Sequence, residues 1–311
     1  MIHNQIKLHP EPALDTTLYW FMFPVAMLVA TTAMLSGIGG AALFTPIFLM
    51  IFPLLGPEYV LLSPVAAIGV ALLTETFGFS SGFVGYYRKG LIDFRSALPF
   101  IAVAVPVAIV GALMTPLLNP TFIKGAYGCL MLLLAWIMIK HHAPVEAEIE
   151  SLDGNGRKPE IREITARNGV VYRYPVPKHG RGAIATSVGA WLTGLLSVGI
   201  GEVVMPQLTK RNRVPLAIAA ATSVFVVIVT IAAASFTQIA TLIREGGVNA
   251  VPWHLVMWTI PGVLIGGQVG PFLQGRIDQR RMEQAIGMLF AVIGVAMWVM
   301  ILSPAGAASA H

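Results

Sequence analysis

The sequence predicts an all-α polytopic membrane protein. It would be built as two inverted-topology repeats of about five hydrophobic segments each, with broken or re-entrant helices at two glycine runs. Three observations carry that prediction. Of 311 residues, 56% are hydrophobic and 11% charged, whereas a soluble domain carries about a quarter charged residues. The mean hydropathy is +0.76, and the apolar residues gather in stretches long enough to cross a bilayer. Finally, the run Ser36-Gly37-Ile38-Gly39-Gly40, closed by Pro46, returns as Ser197-Val198-Gly199-Ile200-Gly201, closed by Pro206.

Residues 1–16 form a polar tail of mixed charge. It lacks a basic n-region and a small-residue cleavage site, so the first apolar stretch is expected to be retained. The first membrane repeat covers 17–140, with segments at 17–35, 41–55, 59–87, 96–118 and 122–139. The second covers 182–303, with segments at 182–196, 203–208, 215–243, 252–273 and 283–302. A span needs about 20 apolar residues at about 1.5 Å each. The third, fourth, fifth, eighth, ninth and tenth segments qualify. The second, sixth and seventh are short and read as half-helices or re-entrant arms flanking the glycine runs. Between the repeats, 141–181 opens acidic with Glu146, Glu148, Glu150 and Asp153. It then places Asn168-Gly169 between alternating residues, a hairpin signal. It reads as a cytoplasmic loop, foremost a solvated connector. Residues 304–311 are a C-terminal tail.

The repeat is read from recurring spacings. Pro106, Gly111 and Pro116 match Pro261, Gly266 and Pro271; Gly39 and Pro46 match Gly199 and Pro206; Ala126-Tyr127-Gly128 matches Ala285-Ile286-Gly287. Basic clusters stand at Arg88/Lys89 with Arg95, across 157–181, at Lys210/Arg211/Arg213 and at Arg276/Arg280/Arg281. Put on one side by the positive-inside rule, they give the halves opposite orientation and leave both termini outside. That plan belongs to secondary transporters, whose site lies near the midplane where discontinuous helices meet.

Irregular backbone at membrane depth is tolerated only where it is buried or lines a cavity. A half-helix that starts after a glycine break offers free N–H groups and a positive dipole end to an anion. Ser36, Gly37, Gly39, Gly40, Ser197, Gly199 and Gly201 are therefore the expected substrate contacts, against an alternative of close helix packing through small residues. Two carboxylates lie in apolar surroundings, Glu75 and Glu202. Ionisable groups inside spans default to function, and a carboxylate in such a setting can take up and release a proton, so both are proton-coupling candidates. Gln268 is a further candidate for substrate or for a helix–helix hydrogen bond. His254, beside Trp253, reads mainly as interfacial. Cys129, the single cysteine, excludes a disulfide framework and reads as a small buried hydrophobe. His141-His142 offers too few ligands for a metal, and no phosphate-binding Gly-x-x-x-x-Gly-Lys-Ser/Thr loop is present. No cofactor is expected. The excess of 20 Lys and Arg over 15 acidic residues is too small to point to nucleic acid.

Gly37-Ile-Gly-Gly-Ala-Ala-Leu-Phe-Thr-Pro46 resembles the glycine-rich signature of the sulfite exporter TauE/SafE family of membrane permeases. Ala220-Ala221-Thr222-Ser223 looks like that family's Ala/Gly-Thr-Ser element, which adds Thr222 and Ser223 to the substrate candidates. Tyr86-Tyr87-Arg88-Lys89-Gly90-Leu-Ile-Asp93 resembles its basic-Gly-x-x-Asp loop. Departures stand at Ala41, where a third glycine is usual, at Glu202, and at Ile68-Gly69, where Thr-Ser would match the second half. The resemblance implies a multi-pass protein of the bacterial cytoplasmic membrane that exports or takes up a small sulfur-containing anion, sulfite or an organosulfonate, with protons as a second partner. Alternatives are a transporter of a different small anion and a membrane sensor or assembly protein acting through 141–181. No catalytic cluster is visible, so no enzyme is expected. A homo-oligomer is compatible with the chain.

Overall fold

The structure, a computed structural model, describes residues 17–36, 39–140, 161–177, 182–273 and 279–302. The helices are α1 Met22–Ser36, α2 Ala41–Leu55, α3 Pro64–Lys89, α4 Phe94–Met114, α5 Pro120–Lys140, α6 Ala183–Leu196, α7 Ile200–Pro206, α8 Leu216–Gly246, α9 Trp253–Leu273 and α10 Gln279–Leu302. Strands β1 Ile161–Thr165 and β2 Val171–Pro175 lie between the fifth and sixth helices. Among the described residues six helices, α3, α4, α5, α8, α9 and α10, are long and apolar enough to cross a membrane. They are the six segments whose length predicts a span. The chain is an all-α polytopic membrane protein, with one small hairpin among the described residues.

Local chemistry fixes the ends. The third segment starts at Pro64 rather than 59. Pro57–Tyr59 forms a 3₁₀ turn, and the Ser63 hydroxyl then accepts the Ala66 N–H at 3.1 Å. Proline at the first helical position loses only a donor that would have been orphaned anyway. At the other end Gly90 takes a left-handed φ of 68° and its N–H closes on the last turn of α3, the usual glycine stop. Inside α2, Pro46 is followed by a π-turn over Ile47–Ile51, and Pro206 in the second half by a π-turn over Gln207–Arg211. A proline removes one helical hydrogen bond and crowds the carbonyl four residues back, and a widened turn accommodates it.

The two halves pack across each other. α1 lies on α9, and α4 on α6; α3 contacts α8 and α9, and α8 contacts α3 and α4; α5 lies on α10. Exchanging α1–α5 for α6–α10 maps this set of contacts onto itself. The matched glycines sit at these crossings. A Cβ on Gly111 would come 2.3 Å from the Trp191 carbonyl oxygen, and one on Gly266 2.2 Å from that of Met27. Gly128 and Gly287 both line the α5–α10 contact. Close approach through missing side chains replaces the hydrophobic force that lipid cannot supply. Cys129 departs from expectation: it is exposed on α5.

Strands β1 and β2 pair antiparallel, from Ile161 opposite Pro175 to Thr165 opposite Val171. Asn168-Gly169 makes the turn, with Gly169 at φ 83°. The hairpin is no free connector: the Arg167 N–H donates to the Lys89 carbonyl at 3.1 Å, and Ala166 and Tyr174 are buried. The acidic opening of that stretch, both terminal tails and Arg276 lie outside the described residues.

Gly111→Val and Gly266→Val are expected to lower the detergent Tm and folded yield sharply, since overpacking costs about 1–3 kcal/mol or more. Gly125→Ala, where a Cβ meets nothing nearer than 3.8 Å, is the control and should leave Tm unchanged.

Candidate functional site

The second glycine run breaks the chain between α6 and α7. Ser197 ends α6 in the left-handed region at φ 64°, and Gly199 follows at φ 139°. Only glycine holds that φ without strain, and a Cβ there would also meet the Gly189 carbonyl oxygen at 2.6 Å. The freed donors find partners inside the protein. The Ile200 N–H donates to the Thr193 hydroxyl at 2.7 Å, and the Gly199 N–H to Glu202 Oε2 at 3.0 Å. Glu202 is thus the third residue of α7 reaching back over its own start, half of a capping box. Gly201 is buried within the first turn of α7.

The first break leads into α2. Gly37, Ile38 and the Ser36 side chain lie outside the described residues; Gly39 and Gly40 are described and buried. No residue of α2 reaches back to cap it. The Glu75 carboxylate, from the middle of α3, lies instead against the Gly40 and Ala41 N–H groups. Glu75 is 2% exposed. A Cβ on Gly39 would stand 3.0 Å from Glu75 Oε1 and 3.6 Å from Glu202 Oε1. The two carboxylates, one from each half, therefore flank a single point of backbone. Each has one oxygen, Oε1, that is buried and has no hydrogen-bond partner among the described residues.

The breaks also touch directly. Thr45 Oγ1 in α2 is 2.6 Å from Ser197 Oγ, and the Ser197 hydroxyl also reaches the Leu196 carbonyl. Tyr127, fully buried, donates its hydroxyl to the Ala42 carbonyl at 2.9 Å. That carbonyl is four residues before Pro46, whose missing N–H would have been its partner. Next to the pair, Ala33, Met34, Gly40, Phe44, Glu75 and Val263 enclose a cavity with room for about one water molecule. An oxyanion does not fit without movement.

Other candidates lie elsewhere. The Thr222 hydroxyl accepts the Asp93 N–H at 3.0 Å, tying the α3–α4 turn to α8. Ser223 is buried beside it in sequence, its Oγ without a partner among the described residues. The Gln268 amide donates to the Ser81 carbonyl at 2.5 Å and hydroxyl at 3.0 Å, a link between α9 and α3. The His254 ring packs on Tyr19, centroids 5.0 Å apart. The described residues contain no group of three or more metal-ligating side chains.

Sequence reasoning missed Thr45, Tyr127 and Thr193, and also the role of Asp93. Thr45 and Tyr127 stand in stretches singled out for other reasons, as the end of the glycine signature and as a repeat marker. Asp93 receives Arg162 Nη1 at 2.9 and 2.7 Å, the Ser96 hydroxyl at 2.5 Å, the Ser96 N–H at 3.1 Å and the Tyr174 phenol at 2.9 Å. The hairpin is thereby fastened to the loop that also holds Thr222. Lys89, four residues before Asp93 and next to Gly90, donates to the Pro271 carbonyl at 2.6 Å near the end of α9.

A family profile described as "Sulfite exporter TauE/SafE" matches residues 22–297. The chain is 25% identical over 272 residues to "Probable membrane transporter protein YunE" of Bacillus subtilis, covering 87% of this chain and 93% of that one. It is 24% identical over 271 residues to a "Probable membrane transporter protein" of Xylella fastidiosa strain Temecula1, covering 85% and 88%. No solved structure matches.

Burial pushes the Asp93 carboxyl up, but Ser96, Arg162 and Tyr174 outweigh it and hold it below its ordinary value. A folded-state value below the unfolded one stabilises docking at neutral pH, and that stability is lost as pH falls through the folded value. Hydrogen exchange of the hairpin amides, taken relative to each amide's intrinsic rate at the same pH, is therefore expected to stay constant from neutral pH down to about pH 5 and to rise only in stronger acid, below the ordinary Asp value of about 3.9. Arg162→Ala should speed it at neutral pH, since a hydrogen bond to a charged group is worth about 1.5–3 kcal/mol.

Proposed function

The chain belongs to the sulfite exporter TauE/SafE family, and on that premise we propose that it is a secondary transporter that moves a small sulfur-containing anion, sulfite or an organosulfonate, across the bacterial cytoplasmic membrane. The halves insert in opposite senses, with the basic turns and 141–181 on the cytoplasmic side. The anion binds near the midplane between the two breaks, contacted by backbone N–H groups around Gly39–Ala41 and Gly199–Gly201 and by the Ser197 hydroxyl. Glu75 and Glu202 carry the coupling protons.

One observation supports this reading most: helix breaks 160 residues apart in sequence meet at the Thr45–Ser197 contact, with a carboxylate from each half beside Gly39. Packing alone gives no reason to bring two carboxylates to one place in an apolar core, because unpaired charge there is costly. The exchangeable packing of the halves supports alternating access by rocking one half against the other.

The test is flux in liposomes holding the purified protein, with sulfite, thiosulfate, sulfoacetate and taurine offered in turn. At least one should move with saturable kinetics. If none moves or binds while inorganic cations do, the anion reading is wrong. Gly39→Val and Gly201→Val should insert at wild-type level, yet flux should fall to that of empty liposomes. Wild-type flux in both would return the glycines to a packing role.

A further inference from the structure

We infer that Glu75 and Glu202 are internal stand-ins for the transported anion, so that the site exchanges two carboxylate charges for one divalent oxyanion accompanied by two protons. The inference rests on the anion-transport reading and adds to it the charge class of the substrate and the stoichiometry.

Three observations carry it. First, the N–H donors that a half-helix would offer to an anion already face carboxylates: Glu75 lies against Gly40 and Ala41, and Glu202 accepts the Gly199 N–H at 3.0 Å. Second, each carboxylate keeps a buried oxygen, Oε1, that lacks any partner among the described residues, and both oxygens flank the same point at Gly39. Third, no cation among the described residues is at hand. The titratable side chains facing the pair are the two carboxylates themselves and Tyr127 from α5, whose hydroxyl donates to the Ala42 carbonyl. The described residues of α1 and all of α2 carry no titratable side chain, and that of α9, His254, stacks on Tyr19.

Charge balance in a low-dielectric site then sets the exchange. When the site is open to water and both carboxylates are ionised, it carries two negative charges held by N–H donors. A dianion cannot join them without doubling the buried charge, which the surroundings do not compensate. Two protons from the aqueous phase on the entry side bond to the two Oε1 atoms. The neutral carboxylic acids release the N–H groups, and the dianion takes the donors. The site charge is again minus two. On the far side the anion leaves, both O–H bonds break, the protons go to water, and the carboxylates return to the N–H groups. The cycle moves no net charge. A monovalent sulfonate needs only one proton and leaves the other carboxylate in place. Divalent oxyanions are therefore the substrates matched to the pair.

The experiment uses the full chain in liposomes with thiosulfate as probe, a potential clamped by potassium and valinomycin, and an internal pH dye counting protons. Two protons per thiosulfate are expected, with accumulation independent of potential. Each net charge moved would change accumulation about fiftyfold per 100 mV. Glu75→Gln and Glu202→Gln should each lose one proton per anion and become potential-sensitive by that factor, while Glu75→Asp should restore the wild-type ratio. Potential-sensitive accumulation in wild type, or an unchanged ratio in both Gln variants, overturns the inference while leaving anion transport standing. The wild-type ratio decides even if a variant fails to fold. Absence of any thiosulfate, sulfite or sulfonate flux or binding overturns the transport reading itself.

Discussion

A helix interrupted inside a bilayer must find partners for its freed backbone groups within the protein, because lipid offers none. Everything around the two glycine runs follows from that constraint. Thr193 takes the Ile200 N–H, Glu202 takes the Gly199 N–H, and Tyr127 supplies the donor that Pro46 withholds from Ala42. Each solution brings a polar side chain to a depth where it would otherwise be excluded. The breaks thus recruit their own polar environment, within which Glu75 joins Glu202 beside Gly39.

The halves solve the same problem differently. The second break is capped from within its own helix, by a glutamate three residues on. At the first, the Glu75 carboxylate of another helix, α3, lies against the Gly40 and Ala41 N–H groups. In the second half the cap travels with α7. In the first, carboxylate and donors sit on separate helices, so a shift of α2 against α3 parts them. Near-symmetry in packing therefore coexists with asymmetry in polar chemistry. The lone carboxylate in the second glycine run is where the two first diverge.

Much of the fold is legible in the sequence because lipid imposes a coarse rule. Six apolar stretches of about 20 residues or more become six long helices, and Pro-Gly-Pro spacing marks the crossings where Gly111 and Gly266 let backbones touch. What stays hidden depends on side chains distant in sequence. Asp93 reads as part of a basic loop, yet its partners Arg162 and Tyr174 lie about 70 and 80 residues away, in a stretch that reads as solvated connector. Gln268 reads from its depth as a ligand for substrate or for a neighbouring helix, and only the fold supplies the partner, Ser81, 187 residues earlier. Cys129 reads as buried because apolar composition cannot distinguish a face toward protein from one toward lipid. The carboxylate pair is half visible: both residues stand out singly, and only folding joins them at Gly39.

The crossing of α1 with α9 bears on how the chain is made. Helix α1 has 15 residues and its packing partner arrives 235 positions later, as the Thr31–Gly266 hydrogen bond measures. At about 5–20 residues per second of synthesis, α1 leaves the ribosome tens of seconds before α9 exists. During that interval a segment too short to span on its own must wait at the insertion machinery or the membrane surface, its small-residue face uncovered. The first half is in this sense unfinished until the second is nearly complete, because α1 has no α9 to pack on before then.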